Sequence, residues 1–311
     1  MKYRPLGCTG LTVSALSLGT VSLGIDYGIR APDDFGRPTE DDAIRVIRHA
    51  VKNGITLIDT APAYGDAERL VGLAVGGDSH VHFATKVAPS AVQAADPKAI
   101  LASIESSLTA LNRNVLDIVQ IPNATQETIE DGTVTRVLLD ARKRGLVRFI
   151  GATVYEESAA LAVIRSRAFD VLQIAFDILD QRKLREVIPK AHAADVGVIV
   201  RSAFLKGVLT WKAEHLPEQL NKLRERARYA RDRLAGGSWD RLTEMAMRFC
   251  LSEQRVSSVL TGPRTVDELR ASFNAEAAGS LDAETLALAA SLAIRGEDED
   301  LLNPSHWSSI P

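Results

Sequence analysis

Short apolar runs and amphipathic stretches alternate from one end of this chain to the other. The runs close near Thr20, Asp59, Lys86, Ile121, Ala152, Ile174, Arg201 and Thr261, with helix-period patterns between most of them. Eight candidate strands follow. The helical reading is best supported between the third and fourth, where Ile100, Ile104, Leu108 and Leu111 recur at spacings of four, four and three and form one apolar stripe. Repeated strand-then-helix units imply parallel strands joined by right-handed crossovers, and eight is the number at which such a sheet closes with side chains filling its interior. The expectation is an α/β chain, a (β/α)8 TIM barrel forming one domain over residues 1–311.

Ahead of the first unit, Lys2 to Val13 carries a Gly-Cys-Thr-Gly turn between extended pieces and predicts a β-hairpin at the barrel floor. Two segments break the alternation. Phe204 to Trp239 reads as a charge-rich insertion after strand seven, in which the run from Leu223 to Arg233 predicts an exposed helix with a solvated face. The tail from Arg295 to Pro311 holds His306 and Trp307 and is expected to fold over the open end of the barrel.

Composition narrows the partners. A formal net charge of -3, with both signs spread along the chain, argues against the clustered Lys and Arg of a nucleic-acid surface. No apolar run approaches a membrane span and the N-terminus lacks the apolar core of a signal peptide, so a cytoplasmic location and a small-molecule partner are expected. Cys8 and Cys250 are the only cysteines and have no paired spacing, so neither a disulfide framework nor a thiolate metal site is indicated; both read as packing residues.

The chemistry concentrates at strand ends. Ile55-Thr-Leu-Ile-Asp59 closes one buried strand and Val81-His-Phe-Ala-Thr-Lys86 another, while Tyr64 stands in the turn after Asp59. In such barrels the working groups lie at the C-terminal ends of strands, so a carboxylate, an amine and a phenol should meet at one rim. A phenol is a poor acid at neutral pH, and a neighbouring ammonium favours its ionised form. Lys86 would supply that charge, Asp59 would hold it, and Tyr64 would protonate a carbonyl oxygen as hydride arrives at carbon.

Hydride needs a cofactor, and no G-x-G-x-x-G follows the first strand. The usual anion site of a barrel, made by the loops after strands seven and eight with a helix N-terminus, is supplied instead by Gly262, Arg264 and the capping box Thr265-Val-Asp-Glu268. Arg264 would fork onto a ribose 2′-phosphate, which favours NADPH. Across the barrel, Arg201, Ser202, Phe204 and Gly207 offer a face for the nicotinamide ring and amides for the pyrophosphate. Gly19 and Thr20, at the first strand end, complete the expected cofactor lining.

The segment Asp59 to Gly65, Ala84-Thr-Lys86, Leu116-Asp-Ile-Val-Gln-Ile121, Gly145 to Gly151, Gln173 and the last two strand segments together resemble the aldo-keto reductases, from the hairpin to about Asn274. The resemblance implies that Asp59, Tyr64 and Lys86 are three members of the family's catalytic tetrad and that Thr153 and Gln173 contact the nicotinamide carboxamide. Val154 stands where the family usually has Asn. The fourth tetrad position, a histidine in the family, is Pro122, which has neither a side-chain donor nor a backbone N–H. Asn123 is the expected replacement donor, with His306 in the tail as the other candidate; His82, four residues before Lys86, would sit about 13 Å down the barrel. The expected activity is NADPH-dependent interconversion of a carbonyl and an alcohol on a sugar-like or secondary-metabolite substrate. Two alternatives remain open: elimination, epimerisation or double-bond reduction by the same residues, and a catalytically impaired dinucleotide-binding subunit. No metal site is expected, and oligomeric state is not read from the sequence.

Overall fold

The computed structural model describes residues 1–32 and 34–307, which leaves Asp33 and the last four residues of the tail outside the described residues. Two short strands, β1 (Tyr3–Pro5) and β2 (Thr12–Ser14), pair antiparallel as the predicted hairpin. Eight more follow: β3 (Leu16–Gly19), β4 (Leu57–Asp59), β5 (His82–Lys86), β6 (Leu116–Ile121), β7 (Val147–Val154), β8 (Val171–Ala175), β9 (Gly197–Arg201) and β10 (Ser258–Thr261). They are parallel and close into a barrel, β10 pairing with both β9 and β3. Each predicted strand end falls within two residues of an observed one. The stripe Ile100, Ile104, Leu108 and Leu111 lies on the helix Pro97–Ala110 and its C-cap, with Ile100 and Ile104 buried. Among the described residues no helix is long and apolar enough to cross a membrane.

Alternation along the strands divides the barrel interior into layers, because side chains two residues apart share a face. Leu57, Ala84, Ile118, Val171, Ile199 and Leu260, each from a different barrel strand, pack with Leu6, Leu11 and Val13 into a buried apolar cluster that the hairpin plugs from below. Two residues further along the same strands or just past their ends come Asp59, Lys86, Gln120, Gln173, Arg201 and Gly262. The lower layer is therefore apolar and the upper one polar. The outer core, between strands and helices, forms a separate and larger apolar cluster.

Three expectations need correction. Cys8 is exposed, its Sγ 3.9 Å from Asp170 Oδ1, so only Cys250 is a buried packing residue. The Arg-rich segment is a helix, Asn221–Ala235, but it is not simply exposed: Leu223, Ala227, Ala230 and Leu234 recur at helical spacing and are buried. Three of its arginines are paired, Arg228 and Arg231 with Glu214 and Arg226 with Asp298, so much of the charge on the polar face is compensated. The capping box at Thr265 is only half formed as expected. Thr265 Oγ1 accepts from Glu268 N at 3.2 Å, but the Glu268 carboxylate accepts from Arg264 N at 2.6 Å, one residue before the cap.

Candidate active site

Asp59 ends β4 and Lys86 ends β5, and their side chains meet inside the barrel, Nζ to Oδ1 at 2.6 Å. Lys86 Nζ also donates to the Thr60 carbonyl at 2.9 Å and lies 4.9 Å from the centroid of the Tyr64 ring. Both ionic groups are nearly sealed from water, at 3% and 6% exposed. Burial pushes the ammonium towards neutrality, yet the Asp59 carboxylate and the Tyr64 hydroxyl outweigh it and raise its pKa above the ordinary lysine value. Lys86 is thus a fixed cation beside a phenol.

The other oxygen of Asp59 accepts from two amides, Gln120 Nε2 at 3.0 Å and Gln173 Nε2 at 2.8 Å, and Gln173 Nε2 also reaches Gln120 Oε1 at 3.2 Å. Gln120 was not anticipated as a site residue. Its signal was available, since it stands two places beyond Ile118, on the inward face, as a polar residue in an otherwise apolar run. Gly151 leaves room for it, because a Cβ there would come within 3.1 Å of Gln120 Cγ. Gln173 faces the same carboxylate, and its N–H groups donate to Asp59 and Gln120.

Tyr64 is placed by its turn. Its N–H donates to Ala61 O at 3.0 Å and its carbonyl accepts from Ala67 N at 3.1 Å, which starts the helix Ala67–Val75. That helix is tied to the barrel by Glu68, whose Oε1 accepts from Thr85 Oγ1 at 2.6 Å; burial pushes the Glu68 carboxyl upward. Thr20, beyond β3, donates through Oγ1 to Asp59 O at 3.0 Å, and Gly19 pairs in register with Asp59.

Past β6 the chain turns away at once. Pro122 follows the last strand residue, as its missing N–H requires, and Asn123 takes a left-handed φ of 45°. Asn123 N donates to Thr153 Oγ1 at 2.8 Å, which fixes both segments, but the Asn123 side chain is exposed and its amide has no hydrogen-bond partner among the described residues. His82 sits at the floor end of β5 against Asp117, 3.5 Å away, and His306 lies in the tail 3.2 Å from Asn303 Nδ2.

Aromatic and cationic groups converge on the mouth. Arg201 stacks on Tyr155, Cζ 3.9 Å from the ring centroid, and donates to Val154 O at 3.2 Å. Lys206 lies 5.4 Å from the Tyr27 ring and 5.5 Å from the Trp307 ring, so the tail does reach the loop after β9. Tyr27 keeps part of its ring exposed while its hydroxyl is desolvated; burial, with Tyr155 and Tyr64 nearby and against the pull of Arg201, pushes that hydroxyl up to about 12. It stays a proton-bearing donor.

The two segments expected to hold the cofactor's anionic groups follow β9 and β10. After β9, Ser202 has a φ of 62° and the N–H groups of Ser202, Ala203 and Phe204 have no partner among the described residues, a row of donors of the kind that cradles phosphate. Gly207, at φ 106°, takes a conformation that favours glycine. After β10, Gly262 is exposed, and Ser22 Oγ donates to its carbonyl at 2.9 Å. Arg264 is held by Glu268 at 3.4 Å, by Gly36 O at 3.2 Å and by Asp34, which also pairs with Lys212 at 3.1 Å.

Comparisons with known proteins give the family and the fold. Residues 15–294 match the Aldo/keto reductase family, and the chain belongs to that family. The holo form of aldo-keto reductase AKR11C1 from Bacillus halodurans is similar at a TM-score of 0.80 and 26% identity, over 95% of this chain and 97% of that one. L-galactose dehydrogenase of Arabidopsis thaliana is 27% identical over 92% of this chain and 92% of its own length. The uncharacterized oxidoreductase YqkF of Bacillus subtilis (strain 168) is 24% identical over 92% and 94%.

Proposed function

We propose that this enzyme interconverts a carbonyl and an alcohol on a sugar-like or secondary-metabolite substrate, with NADPH as cofactor and Tyr64 as the proton donor. The observation that carries the reading is Lys86, held charged by Asp59 and set 4.9 Å from the Tyr64 ring. An ammonium fixed there stabilises the phenolate left when Tyr64 gives its proton to a carbonyl oxygen, and the reverse transfer serves alcohol oxidation. Gln120 and Gln173 hold Asp59, so the carboxylate cannot swing away from Lys86. These residues position and the phenol reacts.

The residues present suit a dinucleotide. The unpaired N–H groups of Ser202, Ala203 and Phe204 would take the pyrophosphate, Arg264 the 2′-phosphate, and Arg201, Thr153, Gly19 and Thr20 would line the nicotinamide end. When bound, the nicotinamide supplies or accepts hydride. Pro122 provides no donor for the substrate oxygen, so Tyr64 carries more of the orientation here than where a second donor stands beside it. The kinship with a plant enzyme named for a galactose supports a hydroxylated substrate, and the polar mouth with Tyr27, Tyr155 and Arg201 is consistent with one.

A panel of aldoses, ketones and secondary alcohols, followed by nicotinamide absorbance, tests this. Tyr64→Phe should lower kcat about 10²–10⁴-fold, the range for losing a general acid, while dinucleotide binding by fluorescence stays within about twofold. Turnover unchanged in Tyr64→Phe would remove the phenol from the chemistry.

A further inference from the structure

The loop between β3 and the helix Glu40–Lys52 is tied by one carboxylate to the segments that follow the neighbouring strand β10 and, beside it, β9. Asp34 pairs with Arg264, which follows β10, and with Lys212 at 3.1 Å, which lies beyond β9. Arg264 also donates to Gly36 O at 3.2 Å, so the same guanidinium grips the loop twice. These are two of the cations on the strand-seven and strand-eight segments where a barrel of this class holds phosphate. Glu268 faces both, 3.4 Å from Arg264 and close enough to act on Lys212. Two cations and two carboxylates leave the cluster near neutral.

Resting on the NADPH reading above, we infer that Asp34 competes with the cofactor's 2′-phosphate for Arg264 and Lys212, so that a phosphorylated dinucleotide displaces the loop and an unphosphorylated one does not. A phosphomonoester brings about -1.5 to -2 charge at neutral pH. Added beside Asp34 and Glu268 it would meet uncompensated repulsion in a half-buried site, where screening is weak. With Asp34 withdrawn, the same phosphate meets a guanidinium fork and an ammonium. Asp34 thus sets how much of the 2′-phosphate's binding energy reaches the cofactor, which makes it a selectivity residue rather than a passive loop charge.

The probes are 2′,5′-ADP and 5′-AMP, titrated calorimetrically into wild type, Asp34→Asn and Lys212→Met, with NADPH and NADH titrated into wild type. Asp34→Asn should tighten 2′,5′-ADP about tenfold and leave 5′-AMP within about twofold; Lys212→Met should weaken 2′,5′-ADP alone. Hydrogen exchange in residues 26–38 of the wild type should rise with NADPH and not with NADH. Equal effects on both nucleotides, or weaker 2′,5′-ADP binding by Asp34→Asn, would overturn the competition while leaving the cofactor reading intact. Wild type that binds neither NADPH nor NADH would overturn both.

Discussion

At the scale of single residues, the site depends on which buried charges are compensated and which are not. Asp59 is fully engaged, by Lys86, Gln120 and Gln173, so both of its oxygens have partners. Asp177, just beyond β8, is the opposite case. Its Oδ1 accepts from Leu179 N at 2.8 Å and Asp180 N at 3.0 Å, but Oδ2 is buried without a partner. Burial first, then the neighbouring Asp180, and against the pull of Lys183, push its carboxyl from 3.8 up to about 8; the thiol of Cys250 faces the same group. The folded chain therefore keeps this proton between about pH 4 and pH 8, where the unfolded chain releases it. The native state binds more protons in that window, so stability falls as pH rises through it and levels off above about 8. Asp177→Asn keeps an acceptor for the two N–H groups and removes the titration. Urea unfolding should find it no more stable than wild type at pH 5 and more stable by a few kcal/mol, to order of magnitude, at pH 8. Parallel pH profiles for the two proteins would show that Asp177 ionises normally.

At the scale of elements, the helix and strand periods made the barrel legible, and three of its strands end in a charged residue whose chemistry differs from the run before it: Asp59, Lys86, Arg201. Inward parity would have supplied Gln120 as well, since Ile118 and Gln120 share a face. What could not be read were contacts between loops distant in sequence. Asp34 with Arg264 and Lys212, or Lys206 between Tyr27 and Trp307, follow from loop conformation rather than from any period. Another such contact places the reacting group. The one-turn helix Val21–Gly24 lies against the Tyr64 turn so closely that a Cβ on Gly24 would come within 1.8 Å of Tyr64 O. Gly24→Ala must push the Tyr64 turn outward, and a shift of about 1 Å at a reacting group costs about 10²-fold. By contrast, a Cβ on Gly72 would meet Ala110 O at 2.1 Å, on the outer helical layer. Gly72→Ala should cost about 1–3 kcal/mol of stability by overpacking and leave kcat within about threefold. Steady-state kinetics beside thermal melts of both variants check the contrast, and a Gly24→Ala enzyme of normal kcat would show that the turn can give way without moving the phenol.

At the scale of the whole molecule, the barrel separates stability from chemistry along its axis. The polar layer and the loops that frame it lie at the C-terminal ends of the strands, while the hairpin and the apolar layer close the other end. Arg4 on β1 shows how the floor is fastened. It donates to Leu251 O at 2.6 Å, Val256 O at 2.7 Å and Glu253 O at 3.2 Å, carbonyls at or just past the C-terminus of the helix Trp239–Ser252 that leads into β10. A cation there satisfies acceptors that the helix itself cannot and opposes the negative end of its dipole. Arg4→Met keeps the aliphatic stem but strips those carbonyls of their partner, at a cost of about 2–3 kcal/mol. Because β10 carries the Gly262 and Arg264 loop at its other end, the decisive question is whether strain at the floor travels along the strand. The barrel interior between them is a packed apolar layer that resists deformation, so the loss should stay local. Melting should occur several degrees lower while kcat/KM and dinucleotide affinity remain within about twofold. A fall in kcat/KM as large as that of Tyr64→Phe would mean that the hairpin positions the site through β10, and that floor and mouth are one mechanical unit.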